Sequence, residues 1–330
     1  KLSTQRPMDA RTGKCFRRLA NHTGRLPQTL AVNVKTMKLS IGPLQYFWER
    51  ETVLDFYQQA ADSAAEIIYL GEVICSKRRL IKPADWVAIG NELRQSGKEV
   101  ILSSLTLLEA ASELSSLKRL CSNDDFMVEA NDVAAIQLLS AAGKPFVTGP
   151  NVNIYNEHSL KLLAGKGLKR WVLPVELGLK TLEDLQAQRP EGVQTEVYAL
   201  GRLPLAYSAR CYTARSHNLP KDDCQFKCID YPDGRMLKTQ EDQQFLVLNG
   251  IQTQSALTHQ VLDQLPELHA RGVDVLRISP QSSGTMRIIE LFDAARNGQD
   301  PTTLNDELLA LLPLGACNGY LVEQAGMDYR

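Results

Sequence analysis

The chain has 330 residues, 44% of them hydrophobic and 23% charged, with a formal net charge of -1. That is enough apolar material for a sizeable core, and the near-neutral balance gives no footprint for nucleic acid or an acidic surface. No apolar run is long enough to span a bilayer as a helix, so no transmembrane segment is expected. Residues 1–36 are rich in Arg, Thr and Asn and show no hydrophobic period. They read as a disordered or extraneous leader rather than a secretory signal, because the apolar stretch 31–34 is too short and too polar for one.

From Met37 onward short apolar runs alternate with longer amphipathic ones. Residues 39–41 read as a first strand. Val53, Leu54, Tyr57, Ala60 and Ala61 fall at helical spacing within 51–64. A strand at 66–71 is followed by a helix at 83–95, with Pro83 in its first turn and Gly97 just past its end. The same alternation gives strands at 99–102, 126–129, 145–148, 169–173, 194–200 and 273–278. Helices are expected at 107–120, 132–142, 157–164, 181–188 and 286–296.

Strand–helix units repeated at this spacing mean parallel strands with helical crossovers, and eight of them favour closure into a TIM-like (β/α)8 barrel over an open sheet. Neither a G-x-G-x-x-G fingerprint nor a P-loop accompanies any strand. The expected organisation is a single barrel domain over 37–330. An insertion over about 201–272, between strands seven and eight, interrupts the rhythm and holds an extra strand or hairpin at 244–251.

That insertion carries three of the seven cysteines: Cys211, Cys224 with twelve residues between them, and Cys228 with three residues between it and Cys224. A fourth, Cys75, lies in the loop after the second strand. Loops after barrel strands share one face, so these four can converge there. Four thiolates suit zinc or an iron–sulfur cluster, and the spacing is not that of a zinc finger, whose ligands come as two close pairs. Cys224 and Cys228 sit in a polar Lys/Asp-rich stretch, where unused thiols are uncommon. Lys77, Arg78, Arg79, Arg210 and Arg215 lie nearby and would offset negative charge. Cys15, Cys121 and Cys317 read as ordinary thiols.

Glu72, Glu129 and Glu176 fall at strand ends. Barrel geometry is expected to aim them at a shared mouth, as second-rank candidates for acid–base work. Asn153, Tyr155 and Asn156, beyond the fifth strand, are weaker ones. The five histidines form no metalloprotease motif, and no G-x-S-x-G elbow is present.

Four stretches resemble a known family: 71–79 (Gly-Glu-Val-Ile-Cys-Ser-Lys-Arg-Arg), 203–211 (Leu-Pro-Leu-Ala-Tyr-Ser-Ala-Arg-Cys), 220–224 (Pro-Lys-Asp-Asp-Cys) and 248–253 (Leu-Asn-Gly-Ile-Gln-Thr). They are similar, in order, to the branch of the collagenase-like peptidase superfamily (peptidase family thirty-two) that serves anaerobic ubiquinone biosynthesis. The resemblance covers Met37 to about Gly319. It implies an iron–sulfur subunit with a [4Fe–4S] cluster on Cys75, Cys211, Cys224 and Cys228. It also implies a UbiU-like protein as heterodimer partner, a quinone precursor as substrate of an oxygen-independent hydroxylation, a lipid-binding accessory protein of the same pathway, and a cytoplasmic, bacterial setting. The alternatives are a non-catalytic scaffold with a structural cluster and a metal-dependent peptidase. Residues 199–211 depart from the signature of the peptidase branch.

Overall fold

A computed structural model of the protein describes residues 37–330. The leader expected over 1–36 lies outside the described residues. The elements run β1 (Lys38–Ile41), α1 (Arg50–Asp62), β2 (Ile67–Leu70), α2 (Pro83–Gln95), β3 (Glu99–Ser103), α3 (Ala111–Ser122), β4 (Met127–Ala130), α4 (Val133–Ala141), β5 (Phe146–Thr148), α5 (Glu157–Ala164), β6 (Leu168–Val172), α6 (Leu179–Ala187) and β7 (Gln194–Tyr207). Then come α7 (Tyr212–Arg215), β8 (Arg235–Lys238), β9 (Gln244–Asn249), β10 (Gln252–Gln260), α8 (Leu265–Ala270), β11 (Val275–Ile278), α9 (Thr285–Arg296), α10 (Pro301–Ala310) and β12 (Ala316–Cys317).

β1 to β7 pair in sequence as parallel neighbours, and β11 lies between β7 and β1, closing the ring. The result is an eight-stranded parallel barrel wrapped by helices. Each wall strand is covered on both faces, which is why β2 reads as an unbroken apolar run, buried at all four positions. Residues pointing inward alternate with those facing the helices. Ile67, Tyr69, Ile101, Val147 and Val275 form an inner apolar cluster with Met127 against it, while the larger core fills the space between wall and helices.

Two residues further along their strands the interior turns polar. Arg277 reaches Glu129 at 2.7 Å and Glu196 at 2.8 Å, and its guanidinium lies 4.0 Å from the ring centroid of Tyr69. Ser40 and Tyr69 donate to Glu196 at 2.6 and 2.5 Å, and Ser103 donates to Glu129 at 2.6 Å. All six residues are buried. A charged layer is thus folded into the barrel, with each carboxylate satisfied by several donors, as burial of charge requires.

Three sequence expectations are corrected here. The helix placed at 107–120 starts at Ala111, because Glu113 turns back to accept the amides of Glu109 and Ala110 at 2.7 and 3.1 Å. That carboxylate return marks a first turn. The seventh strand does not stop at Leu200 but continues to Tyr207. Gly201 is the hinge where it leaves the wall: its φ is +141°, and a Cβ there would sit 2.5 Å from Ser279 and Tyr198 atoms. Beyond it β7 pairs antiparallel with β10, which pairs with β9, which pairs with β8. The interval 201–272 therefore holds an antiparallel extension of the barrel sheet where one extra strand or hairpin was expected. α10 and β12 were not anticipated, although Asp300, which accepts the Thr302 amide at 3.0 Å ahead of Pro301, is a legible helix start.

Candidate functional site: a recess lined by four cysteines

The loop leaving β2 is folded on Glu72. Its Oε1 accepts the amides of Ile74 and Cys75, both at 2.9 Å, and the Arg78 amide bonds back to the Cys75 carbonyl at 3.0 Å. This compact turn leaves the Cys75 side chain half-buried and the Arg78 side chain enclosed. The guanidinium is almost fully enclosed, at 1% side-chain exposure, and lies 3.8 Å from Glu72. It donates to the Gln45 carbonyl at 2.7 Å and to Asn249 Oδ1 at 2.8 Å.

Cys211 follows the end of β7 and opens α7, and the Ala214 amide points at its sulfur from 3.4 Å. The turn between β9 and β10 locks this segment. Gly250 accepts from the amides of Tyr212 and Thr213, and its own amide donates to Thr213 Oγ1 at 2.9 Å. Gly250 has φ of +62°, and a Cβ there would stand 2.9 Å from Arg78 Nη2 and 3.3 Å from Ile74. Only glycine fits both the backbone and the space.

Cys224 and Cys228 flank Gln225 and Phe226, which take left-handed φ values of 50° and 52° in succession. Two such non-glycine residues in a row carry a conformational cost that the fold must offset elsewhere. The segment is tied across to the β2 loop. Lys77 donates to the Lys221 carbonyl at 2.8 Å and pairs with Asp222 at 3.1 Å, while Lys221 donates to the Ala209 carbonyl at 2.7 Å.

Cys75, Cys211, Cys224 and Cys228 line one open recess, with Lys77, Arg78, Thr213, Phe226, Lys227 and Gly250 among its other walls. Burial pushes the thiols of Cys75, Cys211 and Cys228 up. The Lys77 amide pulls Cys75 back, the Ala214 amide does so for Cys211, and Arg78 does so for Cys228. Each sulfur is thus partly desolvated but faces a group that favours its thiolate. Among the described residues, no group of three or more His, Cys, Asp or Glu side chains is arranged to hold a metal ion.

The three carboxylates expected at a shared mouth have separate fates. Glu72 organises the Cys75 loop, and burial raises its carboxyl above the usual range. Glu129 lies inside the barrel, bound to Arg277. Glu176 is exposed, with Tyr155 donating to it at 3.3 Å. Alternation along the strand explains Glu129, which points into the lumen. Glu176 lies four residues past β6, too far along the loop for the strand to aim it. Asn156 caps α5 by accepting the Ser159 amide at 3.0 Å.

The sequence reading passed over a buried polar layer behind the recess. Gln252 donates to Gln45 Oε1 at 3.0 Å and to Tyr207 Oη at 2.7 Å. Gln254 donates to Gln45 Oε1 at 3.1 Å, and Asn249 donates to Gln252 Oε1 at 3.1 Å. The signal for it was present. Asn249, Gln252 and Gln254 are amides within an otherwise strand-like run, as buried network members often are.

Fold and site together define a (β/α)8-barrel protein whose β2 loop and post-β7 segment enclose a thiol-lined recess. The chain belongs to Peptidase family U32, which it matches over residues 50–328. Among solved structures it is similar to a U32 peptidase at 10% identity, over 80% of this chain and 97% of that one, with a TM-score of 0.41. It is also similar to a truncated 3-deoxy-D-arabino-heptulosonate 7-phosphate synthase from Thermotoga maritima, at 9% identity over 83% and 88% of the two chains, with a TM-score of 0.42. A 3-hexulose-6-phosphate synthase matches at 13% identity over 82% and 99%, with a TM-score of 0.38. No helix among the described residues is long and apolar enough to cross a membrane.

Proposed function

We propose that this chain is a UbiV-like iron–sulfur subunit that works with a UbiU-like partner in the oxygen-independent hydroxylation of ubiquinone precursors. The observation that carries the reading is the meeting of Cys75, Cys211, Cys224 and Cys228, far apart in sequence, on one recess. The donor set suits a [4Fe–4S] cluster, for which four thiolates are the usual ligands. A cluster keeps its thiolates further apart than one ion does, because several irons stand between them.

The four cysteines would hold the cluster, and the chemistry it would supply is one-electron transfer. Full ligation by protein leaves no iron open to substrate, which favours that role over Lewis-acid work. The chain's own part is to fix the sulfurs. Glu72 shapes the turn that presents Cys75, the Ala214 amide faces Cys211, and Arg78 lies beside Cys228.

A structural role for the same cluster is the second reading. It is favoured by the way the recess joins the β2 loop to residues 211–228, two segments otherwise tied through Lys77 and Lys221. Anaerobic purification with iron and sulfide analysis and visible spectroscopy tests the cluster. A protein that stays colourless and iron-free after anaerobic reconstitution would sink both readings. Single Cys→Ala variants, assayed for partner binding and quinone-precursor hydroxylation, separate them. Hydroxylation retained in a folded, cluster-free variant would leave only the scaffold.

A further inference from the structure

Arg78 is unusual among the cations around the recess. Lys77 is one-third exposed and already paired with Asp222, so solvent and a neighbour screen its charge. Arg78 has 1% side-chain exposure. Two of its nitrogens donate to neutral oxygens, the Gln45 carbonyl and Asn249 Oδ1, and Nε is buried with no hydrogen-bond partner. Its ion-pair partner is Glu72 at 3.8 Å, and that carboxylate also serves the amides of Ile74 and Cys75. A buried guanidinium so thinly compensated by protein normally faces an anion. The open side of Arg78 is the thiol recess, where it stands against Cys228.

We propose that Arg78 is the fixed counter-charge of this recess and sets the reduction potential of the cluster its thiolates hold, with Glu72 as the opposing charge. The inference rests on the reading given under Proposed function and adds a residue role to it. Four thiolates on a [4Fe–4S]²⁺ core carry a net charge of about two minus, and one added electron makes it about three minus with no bond made or broken. A buried cation stabilises the second state more than the first, so it raises the potential. A carboxylate lowers it.

The test uses the full chain, reconstituted anaerobically with iron and sulfide and titrated with dithionite as the electron source, followed by visible absorbance and electron paramagnetic resonance. Arg78→Gln is expected to shift the one-electron equilibrium at least tenfold toward the oxidised form, which is 59 mV lower in midpoint. Glu72→Gln, which keeps the oxygen that caps Ile74 and Cys75, is expected to move the midpoint upward. Arg78→Lys is expected to fall between Arg78→Gln and the wild type. A loaded Arg78→Gln protein with the wild-type midpoint overturns the proposal and leaves the cluster reading intact. If Arg78→Gln does not load, Glu72→Gln and Arg78→Lys decide: unchanged midpoints in both overturn it. A wild-type chain that binds no cluster overturns both.

Discussion

Arg277 and Glu129 meet at 2.7 Å inside the barrel, at 2% and 0% side-chain exposure. Glu196, equally enclosed, meets the same guanidinium from the other side. A single cation thus holds two buried carboxylates. Arg277→Met would leave Glu129 without its cation and Glu196 with Arg170 alone, and is expected to cost about 3–5 kcal/mol, the penalty typical of breaking a buried ion pair. Urea unfolding, read as a fall in midpoint, checks this. Glu129→Gln should also lower the midpoint. A Glu129→Gln protein of unchanged stability but lost activity would instead mark Glu129 as a catalytic carboxylate.

Gly250 is pinned by its left-handed backbone and by Arg78 pressed against it. Gly250→Ala is expected to destabilise the fold by about 1–3 kcal/mol, the usual cost of backbone strain at such a position. It should also reduce the iron retained after reconstitution, because the turn holds α7 and with it Cys211. Thermal unfolding and iron analysis together check it. A stable variant with full iron would show that the turn can shift freely.

His259 is buried beside Tyr198, and its Nδ1 has no partner. Burial pushes its pKa down from 6.5 to about 4. The unfolded chain therefore takes up this proton at a higher pH than the native one. The neutral imidazole costs nothing above pH 6.5; stability falls as pH drops from there to about 4 and levels off below. The full loss is about 3 kcal/mol for a shift of this size. Urea midpoints at pH 7.5 and pH 4.5 should differ less in His259→Gln than in the wild type.

Cys121 and Cys317 are buried away from the recess, and burial pushes their thiols up to about 11 and about 12. Neither has appreciable thiolate near neutral pH. Iodoacetamide at pH 8 on the native, iron-free protein is expected to spare both and to label the half-buried recess cysteines ahead of them, read by peptide mass spectrometry. Alanine at Cys75, Cys211, Cys224 or Cys228 should abolish or sharply reduce iron loading. Alanine at Cys121 or Cys317 should leave it unchanged.

The alternation of strands and helices was legible because it is written in local periodicity. Wall strands such as β2 are apolar throughout, and helices such as α2 carry their own start signals. Caps that loop backward, as Glu113 does, were missed because the carboxylate acts outside the helix it starts. The run of β7 past Leu200 was missed for a related reason. Gly201 ends a wall strand by turning it, and nothing local distinguishes that from a stop.

At the site, the four cysteines and the basic residues after Cys75 could be picked out from spacing and company. The roles of the carboxylates could not. Glu72, Glu129 and Glu176 look alike as strand-end acids, yet one shapes a turn, one is locked to Arg277 and one is exposed.

By itself, then, the sequence determined the barrel and named the thiols, since hydrophobic period and residue type are properties of neighbouring positions. Only the tertiary structure decided that Arg78 lies buried behind the recess, and that Arg277 rather than substrate occupies Glu129. Burial and charge pairing depend on residues such as Gln45, Asn249 and Glu196, which lie far from these arginines in sequence. No local pattern encodes which distant group will remove a side chain from water.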